Sequence, residues 1–276
     1  MFMNKFSMLF DGVISMAKEA AKKFAHHQYT LSLADSPRHD DLYIVSFPKS
    51  GATWMNFLMS HIHLQMSRDE RRVTFFNVHN FVPDIHFSRE IRQTLPFPGF
   101  RIAKSHSSVN PYYKNIIYIV RDPVDVQISY YHFLLGLGSF NRDIKSLIRS
   151  ESYGVAAWCE HVRGWMEDTS AATPFIFIRY EDLKSEPLQT LKRIYGFIGY
   201  DLEESILRSS INYASFENMK ALEAEYAYGG RDVADRLKFI RKGKSREGRE
   251  ELDAEDIEYI KRVAGKWMHK FGYFSE

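Results

Sequence analysis

The chain has 276 residues, enough for one sizeable α/β domain, and nothing in its composition requires a second. Its 37 basic and 35 acidic side chains give a formal net charge of +2, which argues against nucleic-acid binding by bulk electrostatics but leaves room for a local basic pocket. The only cysteine, Cys159, cannot form an internal disulfide, which favours a reducing compartment such as the cytoplasm.

Residues 1–40 are predicted to form a helical extension rather than a targeting segment. The opening stretch MFMNKFSMLFDGVISMAKEAAKKF is amphipathic, Asp11 interrupts its apolar residues, and no small-residue cleavage site follows cleanly. No apolar run in the sequence approaches the roughly 20 residues of a membrane-spanning helix. We therefore expect a cytoplasmic protein with no membrane partner.

Apolar, β-branched runs alternate with segments whose apolar residues recur at helical spacing. The predicted strands are 42–47, 101–104, 116–120 and 175–178, and the predicted helices are 54–64, 124–135, 155–167 and 188–198. This alternation is typical of a single α/β domain with a mostly parallel central sheet flanked by helices. Ligands of such sheets bind beyond the carboxyl ends of the strands. Basic or hydroxyl side chains follow those ends here, namely Lys49 and Thr53, Lys104 and His106, Arg121, and Arg179 and Tyr180.

The segment PKSGATW, residues 48–54, joins the first strand to a helix. Pro48 ends the strand, Gly51 permits a sharp turn, and Thr53 begins the helical pattern. Unpaired backbone N–H groups meet the positive end of the helix dipole there, and Lys49 adds a charge. The sequence therefore predicts a P-loop-like anion site, although the Walker A pattern is absent. A purely structural turn is the alternative.

Lys104 and His106 stand two residues apart at the end of the second strand, so both side chains leave the same face in extended geometry. An imidazole accepts a proton near neutral pH, which suits a general base acting on a hydroxyl or an amine. A lone histidine is more often structural, but the lysine and the nearby anion loop favour a functional role.

The third strand and its helix, NIIYIVRDPVDVQISYYHF, are the most specific segment. Arg121 ends the strand, Asp122 is a plausible N-cap, and a proline occupies the first helical position. Arg121 can bind a phosphate with two hydrogen bonds, and Ser129 can reach the same group if the helix runs past it. The alternative is an arginine paired with Asp122 or Asp125. Farther on, FIRKGKSREG supplies Arg241, Lys242 and Gly243, although a charge run is usually a solvated surface.

Metal sites and a serine hydrolase are disfavoured. His61 and His63 lie roughly 200° apart on the predicted helix, and the adjacent His26 and His27 also face apart, so neither pair can share a metal ligand site. The sequence has no G-x-S-x-G elbow. We expect no metal.

In series, these motifs resemble those of the sulfotransferases that use 3′-phosphoadenosine 5′-phosphosulfate (PAPS), in particular the cytosolic type. The resemblance runs from about residue 42 to residue 241. In that family a PKSGTTW loop cradles the 5′-phosphosulfate, and its tryptophan stacks on adenine. The resemblance implies that the donor is held by Lys49, Ser50, Gly51, Ala52, Thr53, Trp54, Arg121, Ser129, Tyr180, Ser215, Phe216, Arg241, Lys242 and Gly243.

Within that set, the resemblance assigns Arg121, Ser129 and the RKG at 241–243 to the 3′-phosphate. The family's YED matches residues 180–182, and its adenine-side segment T-S-F-x-x-M-K resembles residues 214–220. The sequence also departs from the family. Ala52 and Ala214 replace threonines, and neither the G-D-W-K after the RKG nor the C-terminal K-x-x-x-T-V-x-x-x-E dimer motif is present. The oligomeric state therefore stays open.

The chemistry implied by this resemblance is in-line sulfonyl transfer without a metal, which resembles phosphoryl transfer in depending on positioning and electrostatics. His106 is expected to deprotonate the acceptor, Lys49 to stabilise the bridging oxygen of the leaving phosphate, and Lys104 to hold the sulfonyl oxygens. The nucleotide product is 3′-phosphoadenosine 5′-phosphate (PAP).

The resemblance places the acceptor pocket near residues 81–87 and 133–137, under a lid at about 217–243. The candidate pocket residues are Phe81, Asp84, Ile85, Phe133, Leu137 and Glu223. Their aromatic character fits a small organic acceptor. Asp84, Glu223 and Glu225 raise the hypothesis of a cationic acceptor, and the alternative is that these acids face solvent.

Two other functions share these features. A P-loop phosphotransferase would require Mg²⁺, but the sequence has neither a Walker A loop nor a convincing metal-binding carboxylate. A non-catalytic nucleotide-binding module would bind the donor and be indifferent to His106→Ala.

Overall fold

The computed structural model describes residues 39–85, 101–170, 172–225 and 249–274. These residues contain a four-stranded sheet whose strands are β1 (Asp41–Ser46), β2 (Arg101–Ser105), β3 (Asn115–Val120) and β4 (Phe175–Arg179). The strand order is β2-β1-β3-β4, and all three pairings are parallel. The predicted α/β fold with a parallel central sheet is confirmed.

Helices connect and cover the strands. They are α1 (Ala52–Ser67), α2 (Val78–Phe81), α3 (Pro123–Gly136), α4 (Ile144–Ile148), α5 (Val155–Glu167), α6 (Tyr180–Ser185), α7 (Pro187–Phe197), α8 (Glu204–Tyr213), α9 (Phe216–Glu225) and α10 (Ala254–Lys270), with a short 3₁₀ turn at Arg249–Glu251. The four predicted helices correspond to α1, α3, α5 and α7.

The sheet separates two buried apolar clusters. Alternate side chains of β1 enter opposite clusters, so Tyr43 and Val45 pack on one face and Leu42 and Ile44 on the other. Helices α3, α5 and α10 cover the first face, while α1, α7 and α8 cover the second. Because β1, β2 and β3 are buried on both faces, these strands read as nearly continuous apolar runs, which is why the sequence revealed them.

The parallel arrangement brings the carboxyl ends of all four strands to one edge of the sheet. At the opposite ends of β1 and β2, Arg101 Nε lies 2.6 Å from Oδ1 of the buried Asp41. The predicted N-terminal extension up to residue 38, and residues 226–243 of the predicted lid, lie outside the described residues. In the part of the chain that the structure describes, no helix combines the length and the apolar character needed to cross a membrane.

Candidate functional site

The loop between β1 and α1 has the backbone of an anion site. Lys49 and Gly51 adopt positive φ angles of 69° and 108°. Gly51 is the N-cap of α1 and has no side chain to occupy the helix end, while its carbonyl accepts from Met55 N–H at 3.1 Å. The first N–H groups of α1, which have no partner within the helix, therefore face the loop with the positive end of the helix dipole.

The residues that follow β3 and β4 pack against this loop. A Cβ at Gly51 would lie 2.6 Å from Cδ2 of Tyr180, the residue that follows β4, so only glycine lets the loop pack on this ring. Arg121 stacks on the same ring, with Cζ 4.5 Å from its centroid, and donates from Nη1 to the Lys49 carbonyl at 3.1 Å. The loop, Arg121 and Tyr180 thus form one packed unit.

Two buried polar atoms in this unit lack a hydrogen-bond partner among the described residues. They are Ser50 Oγ and Arg121 Nε. Leaving such an atom unmatched costs about 1–3 kcal/mol, and a polar ligand at the loop would satisfy both atoms. Arg121 also lies 3.8 Å from Asp125, so the ion pair considered as an alternative exists beside the contacts with the loop.

The indole of Trp54 links the loop to α8 and α9. Its Nε1–H donates to the Ala214 carbonyl at 2.8 Å, and its ring meets Tyr180 edge-on with centroids 5.6 Å apart. Ser215 and Phe216 follow Ala214 directly, so the predicted adenine-side segment reaches the Trp54 side of the loop. Both residues are half-buried there.

His106 stands beside the same loop in a defined tautomer. Its Nδ1 lies 2.7 Å from the carbonyl oxygen of Ser46, the last residue of β1. A carbonyl only accepts, so Nδ1 carries the hydrogen and Nε2 carries the lone pair. This arrangement orients a half-buried imidazole with Nε2 able to accept a proton.

Lys104 and Asp84 form an ion pair that sequence reasoning missed. Lys104 Nζ donates to Asp84 Oδ2 at 2.8 Å, and the residues are only 8% and 2% exposed. Asp84 therefore does not face solvent, and its charge is matched by a lysine. Asp84 is therefore not an uncompensated carboxylate that would attract a cationic acceptor. Glu225 is exposed and lies 3.6 Å from Arg72, so its charge is also matched by a basic side chain.

Among the acceptor candidates, Phe133 makes the clearest contact with the anion loop, because Lys49 Nζ lies 4.3 Å from its ring centroid. Phe81 and Leu137 are buried, whereas Ile85 and Glu223 are half-buried. Thr53 and Ser129 are half-buried on α1 and α3, which places them on the helices that follow β1 and β3.

The predicted phosphate-binding residues Arg241, Lys242 and Gly243 lie outside the described residues. Where the described chain resumes, the Arg249 guanidinium pairs with Asp122 Oδ2 at 2.5 Å. Burial raises the pKa of Asp122 to about 6, although Arg249 opposes the shift. Asp122 also accepts from Val124 N–H at 2.9 Å, as predicted for the N-cap of α3.

Glu181 lies next to the ion pair of Asp122 and Arg249. Its Oε1 accepts from the Asp122 N–H at 3.1 Å, and burial raises its pKa above the ordinary value. Arg249 and Asp122 are 127 residues apart in the chain, so no local sequence pattern predicts that they pair. Across residues 39–85, 101–170, 172–225 and 249–274, no group of three His, Cys, Asp or Glu side chains is placed to hold a metal ion.

Comparison with known proteins gives a consistent result. The model of the sulfotransferase domain family matches residues 39–272. Amine sulfotransferase from Oryctolagus cuniculus is 28% identical over 255 residues, covering 85% of this chain and 82% of that protein. Sulfotransferase 1A1 from Rattus norvegicus is 31% identical over 203 residues, covering 66% of this chain and 67% of that protein.

Two solved structures share the fold. Retinol dehydratase in complex with androsterone and PAP matches 91% of this chain and 85% of its own, with a TM-score of 0.64 and 21% identity. Mouse sulfotransferase SULT7A1 complexed with PAP matches 89% of this chain and 90% of its own, with a TM-score of 0.63 and 21% identity.

Proposed function

Because this chain belongs to the sulfotransferase family, we propose that it transfers a sulfonyl group from PAPS to a hydroxyl or an amine of a small organic acceptor. The observation that carries the proposal is the position of His106, held by Ser46 at the entrance of the loop at residues 48–54. A base and an anion cradle at the same strand ends are what an acid–base group transfer requires.

The donor-side residues fit a nucleotide that carries phosphate and sulfate. Ser50 Oγ and Arg121 Nε are donors that need acceptors, and Gly51 lets the backbone approach a ligand closely. Lys49, Thr53 and the first N–H groups of α1 would hold the 5′-phosphosulfate. Trp54, Tyr180, Ser215 and Phe216 would line the adenosine. Arg121, Ser129 and residues 241–243 would hold the 3′-phosphate.

When bound, PAPS supplies the activated sulfonyl group and leaves as PAP. His106 takes the acceptor proton on Nε2, and the Nδ1–H bond to the Ser46 carbonyl keeps the ring oriented and stabilises the imidazolium. Lys49 and Lys104 place fixed positive charge where negative charge develops, so no metal is needed. An in-line attack on the sulfur would depend on the loop to position the donor and on His106 to orient the acceptor.

The acceptor class is a small organic molecule that binds beside Phe133 and under the predicted lid at 217–243. One relative is named an amine sulfotransferase, and a neighbouring structure contains androsterone, so both amine and hydroxyl acceptors are retained. With Asp84 paired, a preference for cations would depend on Glu223. Faster turnover of neutral phenols than of amines or guanidinium compounds at equal concentration would refute that preference.

We also propose that the chain acts in the cytoplasm as one domain over residues 1–276, without nucleic-acid or membrane partners.

Calorimetric titration with PAP and with AMP, in buffer containing EDTA, tests the donor site. Tight binding of PAP with little for AMP is expected, because only PAP carries the 3′-phosphate. Equal or absent binding of the two would overturn the proposal, and a requirement for Mg²⁺ would favour a phosphotransferase.

A further inference from the structure

We propose that Asp84 is a positioning residue for sulfonyl transfer, because it fixes the Lys104 ammonium at the carboxyl end of β2, two residues before His106. This inference rests on the proposed function. It extends that function to a carboxylate that does not itself touch the donor or the acceptor.

The backbone places Asp84 opposite Lys104. Lys104 N–H donates to the Pro83 carbonyl at 2.8 Å, and the Lys104 carbonyl accepts from Ile85 N–H at 3.1 Å. These two bonds form a parallel bridge between Asp84 and Lys104 on the outer edge of β2. Side chains of bridged residues lie next to each other, so the ion pair follows from the bridge rather than from a chance rotamer.

Fold stability alone gives a weak reason for this pair. The side chains are 10% and 1% exposed, so both charges have lost most of their hydration. A buried pair roughly repays that cost, and an apolar pair of similar size is often at least as stable. A charge held in a dry site is most useful where another charge develops, and the neighbouring His106 marks such a place.

The surroundings leave Asp84 as the counter-charge of Lys104. His79, on α2, interacts electrostatically with both residues, and burial together with the Lys104 charge lowers its pKa, so it is neutral at pH 7. The Tyr113 phenol is also close to Asp84, and burial raises its pKa, so it too is neutral. An ammonium has three N–H groups, and the bond to Asp84 uses one. The remaining two can face the oxygens of the transferred group.

Three variants test this role. Asp84→Asn keeps the shape and removes the charge, Asp84→Glu keeps the charge, and Asp41→Asn breaks the ion pair of another buried aspartate at the far end of the sheet. We expect Asp84→Asn to lower kcat by about 100-fold, and Asp84→Glu to recover activity to within about tenfold of the wild type. Asp41→Asn should lose stability yet keep kcat within about twofold.

Calorimetry supplies a readout that does not depend on turnover. PAP lacks the sulfonyl group, so Asp84→Asn should bind PAP within about twofold of the wild type. PAPS differs from PAP by the sulfonyl group that Lys104 is proposed to hold. The ratio of PAPS affinity to PAP affinity should therefore fall by about tenfold in Asp84→Asn. Asp41→Asn should keep the wild-type difference between the two nucleotides.

Two results would overturn the inference. One is a wild-type kcat in Asp84→Asn, and the other is an equal loss of kcat in Asp84→Asn and Asp41→Asn. If Asp84→Asn does not fold, Lys104→Met is compared with Lys104→Met/Asp84→Asn, which removes both charges. Equal kcat in those two supports action through Lys104, and a further loss of about tenfold contradicts it. A wild-type chain that neither binds PAP nor transfers the group would refute the proposed function itself.

Discussion

Replacing Gly51 by alanine tests whether the anion loop is built around the Tyr180 ring. The new Cβ would lie 2.6 Å from Cδ2 and 3.1 Å from Cε2 of that ring, so the ring must retreat by about 1 Å to reach ordinary contact. Trp54 and Arg121 pack on the same ring and would move with it. The substitution therefore disturbs the donor site through the side chains that line it.

The structure also sets the size of the effect. At φ 108° an L-residue is strained, which costs about 1–3 kcal/mol. Overpacking against a buried ring adds about 1–3 kcal/mol. Each lost hydrogen bond to a charged phosphate group costs about 1.5–3 kcal/mol, so we expect PAP affinity to fall by about 10- to 100-fold.

The assay combines calorimetric titration with PAP and denaturant unfolding of each variant. The matched control is Gly199→Ala, because Gly199 has φ 83° and a Cβ there meets nothing within 4 Å. The control should lose about 1–3 kcal/mol of stability from backbone strain and keep wild-type PAP binding. If Gly51→Ala binds PAP as tightly as Gly199→Ala does, the packing of the loop on Tyr180 does not shape the donor site.

Three further predictions follow from individual contacts. Burial raises the pKa of the Cys159 thiol to about 12, so iodoacetamide should modify the folded chain about 1,000-fold more slowly at pH 8 than the unfolded chain, as mass spectrometry can follow. The raised pKa of Asp122 makes its contribution to stability fully present below about pH 4 and lost as pH rises through 6. The unfolding free energy of Asp122→Asn should therefore rise relative to the wild type by about 2 kcal/mol between pH 4 and pH 6, and a flat difference would contradict this. Trp54→Phe removes the donor to the Ala214 carbonyl, so denaturant unfolding should show a loss of about 1–3 kcal/mol and calorimetry weaker PAP binding.

Strands β1 to β3 were predictable because they are buried on both faces, so runs such as 116–120 stand out as apolar. Strand β4 was predictable from its apolar residues, although Phe177 is exposed. Helix α10 was not predicted, yet its apolar residues Ile257, Ile260 and Ala264 recur at helical spacing, so the signal was present. The strand order was not predicted, since one sequence does not say which strands pair.

The positions of the candidate side chains were predictable where they follow a strand end, as for Lys49, His106 and Arg121. Contacts between distant segments were not predictable. Asp84 and Lys104 are 20 residues apart, and the sequence placed them in separate roles. Only the β-bridge beside β2 shows that Asp84 carries the counter-charge of Lys104.

The most direct test of the central claim is transfer of radioactive sulfur from PAPS to a panel of phenols, alcohols and amines, in EDTA, by the wild type and by His106→Ala. We expect transfer by the wild type and a loss of about 100-fold or more in kcat for His106→Ala, with PAP binding retained. His269→Ala, at the exposed end of α10, should keep wild-type activity. Transfer by His106→Ala at the wild-type rate would contradict the assignment of the base, and no transfer to any acceptor by a wild type that binds PAP would leave a nucleotide-binding module instead.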